Sequence, residues 1–200
     1  MEAYESIGIF NANIVYIYSD FRVFGNYLKD FSDRESFFKS FTDPLLRRDK
    51  TIILTTFTYT THGKFDTLST FPKIGALNKW ILNQSGVVRS EHPLFSYAAL
   101  GPDAKIVKNI GKSAFGKDSI FDRLLMNDAA FLYLGRPIKY GNTLIHYIEQ
   151  LGGATYRINK AFKTDVFCGN KYIGNNYSAF LRRRDVEQRA FEFNFDKAAK

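Results

Sequence analysis

"NIVYIYSDFRVFG", residues 13–25, decides the fold class. Ile14 to Tyr18 are β-branched or aromatic without interruption, bounded by Asn13 and Ser19, and read as a buried strand. Ser19 or Asp20 then offers an N-cap for a helix running from Phe21 to Leu28. A strand that feeds a helix start leaves free N–H groups beside the sheet, which favours an anion. Ser19, Phe21 and Arg22 stand at that helix start.

The same alternation continues outward. Residues 32–47 predict a helix, with Ser32 and Glu35 at capping-box spacing. "TIILTTFTYT" (51–60) predicts a strand. Residues 73–86 carry Ile74, Leu77, Trp80 and Ile81 at helical spacing and stop at Gly86. One or two short helices are expected within 96–110, and a helix capped by Ser119 over 119–128. "AAFLYLG" (129–135) predicts a strand, and "NTLIHYIEQLG" (142–152) a helix capped by Asn142 or Thr143. From Tyr156 to Phe195 the pattern is strands and turns. Strands alternating with helices predict an α/β protein. The expectation is a single α/β/α-type layered domain over residues 1–200 with a central mixed sheet.

Composition narrows the function classes. The chain has 200 residues, 45% hydrophobic and 24% charged, as a folded domain does. No apolar run approaches membrane-span length. "MEAYESIGIF" lacks a basic and then apolar leader, so the cytoplasm is the expected compartment. Cys168 is a single cysteine and the three histidines are scattered, so no metal-ligand spacing exists and no metal is expected. The net charge is +8, but only Arg182–Arg184 and the Arg47, Arg48, Lys50 group cluster. That spread does not suit nucleic acid, whereas a polyphosphate-bearing ligand would suit a moderate cationic excess.

Three groups of residues carry chemistry. Thr143, His146 and Glu149 lie three apart on one helical face. A carboxylate that orients a histidine ring makes an acid–base pair, although His146 also suits packing beside Ile145 and Ile148. In "GVVRSEHPLFSYAALG" (86–101), Arg89 is a charged fork suited to phosphate or carboxylate. Ser90 can donate, and His92 is held out of helix by Pro93. The block reads equally as a structural loop in which Arg89 pairs with Glu91 or another carboxylate. Thr56, Thr58 and Asp66 offer hydroxyls and a carboxylate at a strand end, or a cross-strand threonine ladder.

In order along the chain, "IYSDF" (17–21), "TTFT" (55–58), "FD" (65–66), the 86–101 block, "FGKDSI" (115–120), "FLYLG" (131–135) and "NTLIHYIE" (142–149) resemble the motifs of the aminoglycoside 3-N-acetyltransferase family. The R-S-x-H-P and N-T-x-x-H-x-x-E blocks are the most specific. The resemblance implies an acetyl-CoA-dependent N-acyltransferase, with a fold distinct from the small GNAT-type acetyltransferases. It implies His146 as base, oriented by Glu149, with Thr143 beside them. It implies Ser19, Phe21, Arg22, Thr56, Arg89 and Ser90 toward the cofactor, with Ser90 or the N–H groups of the 89–92 loop facing the thioester oxygen. Tyr18, Thr58, Asp66, His92 and Asn142 would face the acceptor.

The departures from the family pattern lie at Tyr18, Asp20, Thr55, Ile120 and Gly141. Tyr18 and Gly141 leave fewer acidic positions for a polycation. The expectation is therefore an amino sugar with a single amine, nucleotide-linked in one version. An aminoglycoside acceptor, as in antibiotic resistance, and a non-catalytic CoA-binding paralogue are the alternatives. Self-association is left open.

Overall fold

The computed structural model describes residues 2–138 and 142–186. Gly141 and the expected tail beyond residue 186 lie outside the described residues. In chain order the elements are α1 (Glu2–Ser6), β1 (Ile14–Ser19), α2 (Arg34–Leu46), β2 (Thr51–Thr55), β3 (His62–Asp66), α3 (Ala76–Trp80), β4 (Val88–Arg89), β5 (Tyr97–Leu100), α4 (Ile120–Met126), β6 (Ala130–Leu134), α5 (Leu144–Leu151), β7 (Arg157–Cys168), β8 (Lys171–Gly174) and β9 (Tyr177–Arg182).

Helices and strands mix as expected, but the strands divide between two sheets. The first has the order β4-β5-β2-β1-β6, with β1 parallel to both β2 and β6 and β5 antiparallel to its neighbours. In the second, β7 runs parallel to β3 and antiparallel to β8 and β9. The first sheet is buried on both faces, and its residues alternate between two cores. Tyr16, Tyr18, Ile53 and Tyr97 face α4, α5 and the second sheet, whereas Val15, Ile17, Ile52, Leu54 and Leu132 face α2 and α3. A slip of one residue would exchange the two sets, so this alternation fixes the register.

Four local expectations are corrected. After β1 there is no α-helix, only short 3-10 turns at Phe21–Phe24 and Tyr27–Asp30. The Asp20 carboxylate already accepts the Arg22 N–H, so no helix N-terminus is open to an anion there. The cap of α2 is Asp33, which accepts from Ser36 N, rather than Ser32. β2 stops at Thr55; beyond it the backbone leaves the sheet to bond Ser96, Leu94 and Pro93. Residues 97–100 form a strand where a short helix was allowed. Gly101, at φ +126°, ends that strand; a Cβ there would lie 2.6 Å from the Lys50 carbonyl.

Candidate active site

β1 is the topological switch point of the first sheet: its parallel neighbours β2 and β6 leave it on opposite sides. In open α/β sheets ligands bind in the crevice beyond the strand C-termini at such a point. Here that crevice is a cleft of about 630 Å³. Tyr18, Ser19 and Asp20 end β1 in it, Thr55 ends β2, and Arg136 follows β6. Phe21, Arg22 and Tyr59 line it, and the start of α3 closes one side through Ile74, Gly75 and Asn78. Asn78 Nδ2 donates to Thr55 Oγ1 at 2.7 Å, tying that wall to the sheet.

The cleft joins α5 through a hydrogen-bonded corner. Tyr18 OH donates to Asn142 Oδ1 at 3.0 Å, and Leu144 N donates to the same oxygen at 3.0 Å. Asn142, and not Thr143, therefore caps the helix by its side chain. Burial pushes the Tyr18 phenol up to about 12, so it stays a neutral donor. The first turn of α5 then presents His146, whose side chain is 30% exposed and meets the Phe115 ring edge-on at 5.3 Å.

His146 Nδ1 lies 2.8 Å from Glu149 Oε2. A carboxylate only accepts, so Nδ1 carries a proton toward it, and in the neutral ring the lone pair is on Nε2. Glu149 is itself held. Tyr156 OH donates to Oε1, and Arg157 Nε lies 2.7 Å from Oε2. Burial raises the Glu149 pKa, but the His146 and Tyr156 bonds and the Arg157 charge bring it below the ordinary value. Tyr156 and Arg157 lie beyond the Gly152–Gly153 turn, so no spacing within one element marks them in the sequence. Arg136 was legible in principle, because it follows a parallel strand at its C-terminal end.

The 86–101 block folds otherwise than its cofactor assignment requires. Arg89 is buried, and every guanidinium nitrogen donates inward. Nη1 bonds the carbonyls of Thr67 and Thr70, Nη2 that of Thr56, and Nε the Ser96 hydroxyl at 3.3 Å. Burial lowers its pKa to about 10, against the nearby Asp66 charge. Glu91 pairs with Lys108 instead, at 2.8 Å. The Ser90 hydroxyl is buried and accepts from Tyr97 N at 2.8 Å. His92 is 1% exposed; Nδ1 accepts from Leu94 N and Phe95 N, and Nε2 donates to Ser178 O at 3.0 Å. Burial lowers its pKa to about 4. These three residues brace a loop and tie it to β9.

The threonine group is equally committed. Thr56 Oγ1 pairs with Ser96 Oγ at 3.0 Å, and Thr58 donates to the Pro93 carbonyl. The Asp66 carboxylate accepts from Leu68 N and Gly169 N, fastening β3 to the β7–β8 turn. Of the candidates, then, Tyr18, Ser19, Phe21 and Arg22 line the cleft; Asn142 meets Tyr18 at its edge, and Thr143, His146 and Glu149 follow Asn142 along α5, outside that lining; Arg89, Ser90, His92, Thr56, Thr58 and Asp66 are internal.

Among the described residues no His, Cys, Asp and Glu cluster could hold a metal, and no helix is long and apolar enough to cross a membrane. A family model described as aminoglycoside 3-N-acetyltransferase matches residues 49–191. Aminoglycoside N(3)-acetyltransferase IX of Micromonospora chalcea is 27% identical over 121 residues, covering 60% of this chain and 40% of that protein. Aminoglycoside N(3)-acetyltransferase III of Serratia marcescens is 32% identical over 87 residues, covering 42% and 32%. The chain thus matches less than half the length of either curated relative. A solved structure of AAC-VIa bound to sisomicin superposes with a TM-score of 0.70 at 20% identity, over 88% of this chain and 72% of that one.

Proposed function

The chain belongs to the aminoglycoside 3-N-acetyltransferase family, and from that premise we propose that it transfers an acyl group from acetyl-CoA to the amine of an aminoglycoside-type acceptor. The observation that carries this reading is the partly exposed His146, with Nδ1 fixed on Glu149 and no described residue bonded to Nε2, on the helix that Asn142 ties to Tyr18 of the cleft. A sugar amine is mostly protonated near neutral pH and must lose a proton before it attacks a thioester. Nε2 takes that proton, and Glu149 stabilises the imidazolium that results. A base positioned in this way contributes about 10²–10⁴ in rate. Tyr156 and Arg157 keep the carboxylate, and through it the ring, in one orientation.

The cleft suits the donor on its own terms. It opens at strand C-termini, and Arg136 in its wall has a buried Nε to which no described residue bonds. A phosphate-bearing donor offers such a guanidinium its acceptor. The aminoglycoside acceptor is favoured over the single-amine, nucleotide-linked sugar expected from Tyr18 and Gly141. The family description and both curated relatives are named for aminoglycosides, and the solved neighbour holds sisomicin. A thiol reagent would follow CoA release from acetyl-CoA over a panel of aminoglycosides and simple amino sugars. At least one aminoglycoside should be consumed by wild type and spared by His146→Ala. If no amine releases CoA, or the variant is as fast, the reading is wrong.

A further inference from the structure

Arg136 lies in the cleft one residue beyond the 131–135 motif, and its surroundings set its role. The turn after β6 lies directly on the turn after β1: Asp20 N donates to Leu134 O at 2.9 Å. Gly135 makes that approach possible at φ +64°, because a Cβ there would stand 2.3 Å from Val23 Cγ2 and 2.6 Å from Asp20 O. Arg136, next in the chain, is therefore pinned at the junction of the two parallel strands' C-terminal ends.

The charges around it do not cancel. The cleft lining contains one carboxylate, Asp20, and two guanidiniums, Arg22 and Arg136. Arg22 occupies both Asp20 oxygens, at 2.8 Å through Nε and 2.5 Å through Nη2. The Arg22 bonds and charge, with a smaller pull from the Arg136 charge, hold the Asp20 carboxyl down at about 2, and Arg22 alone is enough to neutralise it. Arg136 is left with the net positive charge of the lining. Its Nε is buried, and no described residue accepts from it. A buried donor without an acceptor is costly unless a ligand supplies one, and a guanidinium fork matches phosphate geometry.

We propose that Arg136 is a phosphate-binding residue of this cleft, engaged by a phosphate of one of the two substrates. The donor's pyrophosphate and a phosphate carried by the acceptor offer the same oxygens. The assignment of substrates rests on the acyl-transfer reading; the phosphate site itself does not.

Titration calorimetry separates the cases. Wild type and Arg136→Gln would be titrated with CoA, with pantetheine (the thiol arm without phosphates), with glucosamine 6-phosphate and with glucosamine. Losing one charge-assisted fork should weaken a phosphate ligand by about 10- to 100-fold. If the donor is the source, the loss falls on CoA and spares pantetheine. If the acceptor is the source, it falls on glucosamine 6-phosphate and spares glucosamine. Arg136→Lys, which keeps the charge but not the fork, should lie between, and it carries the test if the Gln variant does not fold. The proposal is overturned if wild type binds neither phosphate probe more tightly than its phosphate-free counterpart, or if the variant that folds binds them as wild type does. A wild type that binds CoA through Arg136 yet acetylates no amine would refute the acyl-transfer reading and keep the phosphate site.

Discussion

The two histidine-bearing blocks of this chain make opposite use of the same residue type. In 86–101, Arg89, Ser90 and His92 spend their hydrogen-bonding capacity on the protein itself, and all three are buried. In 142–149, His146 gives one ring nitrogen to Glu149, bonds no described residue through the other, and has a side chain that is partly exposed. A dense run of polar residues therefore does not mark a reactive position. Spare valence at an accessible atom does. One block holds the sheet edge; the other, on the proposed reading, moves a proton.

Substitutions in the two blocks should give opposite phenotypes. His146→Ala should reduce kcat/KM by about 10²–10⁴ and leave unfolding within about 1 kcal/mol of wild type, because the ring is partly exposed. Arg89→Met should do the reverse. The carbonyls of Thr67 and Thr70 would lose their buried donors, at a cost of about 3 kcal/mol. In a protein of this size that lowers Tm by about 6–12 °C. A stable Arg89→Met protein that has lost CoA affinity would return Arg89 to the cofactor. Thermal melts and steady-state kinetics on the two variants decide the matter.

A pH titration sharpens the same contrast for His92. Its folded pKa is about 4, below the ordinary 6.5, so the unfolded chain binds the extra proton between those values. The neutral ring therefore contributes stability that is full above pH 6.5 and is lost as pH falls through 4. The ceiling of the loss is about 3 kcal/mol. Urea unfolding of wild type and His92→Gln at pH 7, 5 and 4 should show the gap between them shrinking as the pH falls. A gap that is constant with pH would mean that His92 is not held neutral by burial.

Much of this arrangement was readable from residue order. The unbroken buried strands "IVYIY" and "TIILT", the Ser119 cap and the His146–Glu149 spacing all depend on contacts within one element or on an all-or-none pattern. What escaped depends on contacts between distant segments. The division into two sheets is set by β7, which pairs with β3 about a hundred residues earlier. The inward turn of Arg89 is set by carbonyls of residues 56, 67 and 70. A guanidinium aimed at backbone and one aimed at phosphate look alike in a sequence. After β1 Asp20 does act as the expected N-cap, accepting from Arg22 N, but the Arg22 side chain also claims it and the turn stays 3-10.

The smallest expected effect tests whether the reactive block is braced as the structural block is. Tyr156 donates to Glu149, and burial, together with that bond, raises the phenol pKa. Tyr156→Phe removes one donor and leaves His146 and Arg157 on the carboxylate. The loss of one bond to a charged acceptor is about 1.5–3 kcal/mol when that acceptor is left unsatisfied, and less where other donors remain. A fall of about threefold to tenfold in kcat is expected, with KM nearly unchanged, because Tyr156 acts on the base and not on either substrate. Glu149→Gln distinguishes positioning from charge. Its amide keeps an oxygen for Nδ1 but cannot stabilise the imidazolium, so it should cost more in kcat than Tyr156→Phe. If Tyr156→Phe instead raises KM and leaves kcat alone, Tyr156 contacts the acceptor, and the orientation of His146 rests on Glu149 and Arg157 alone.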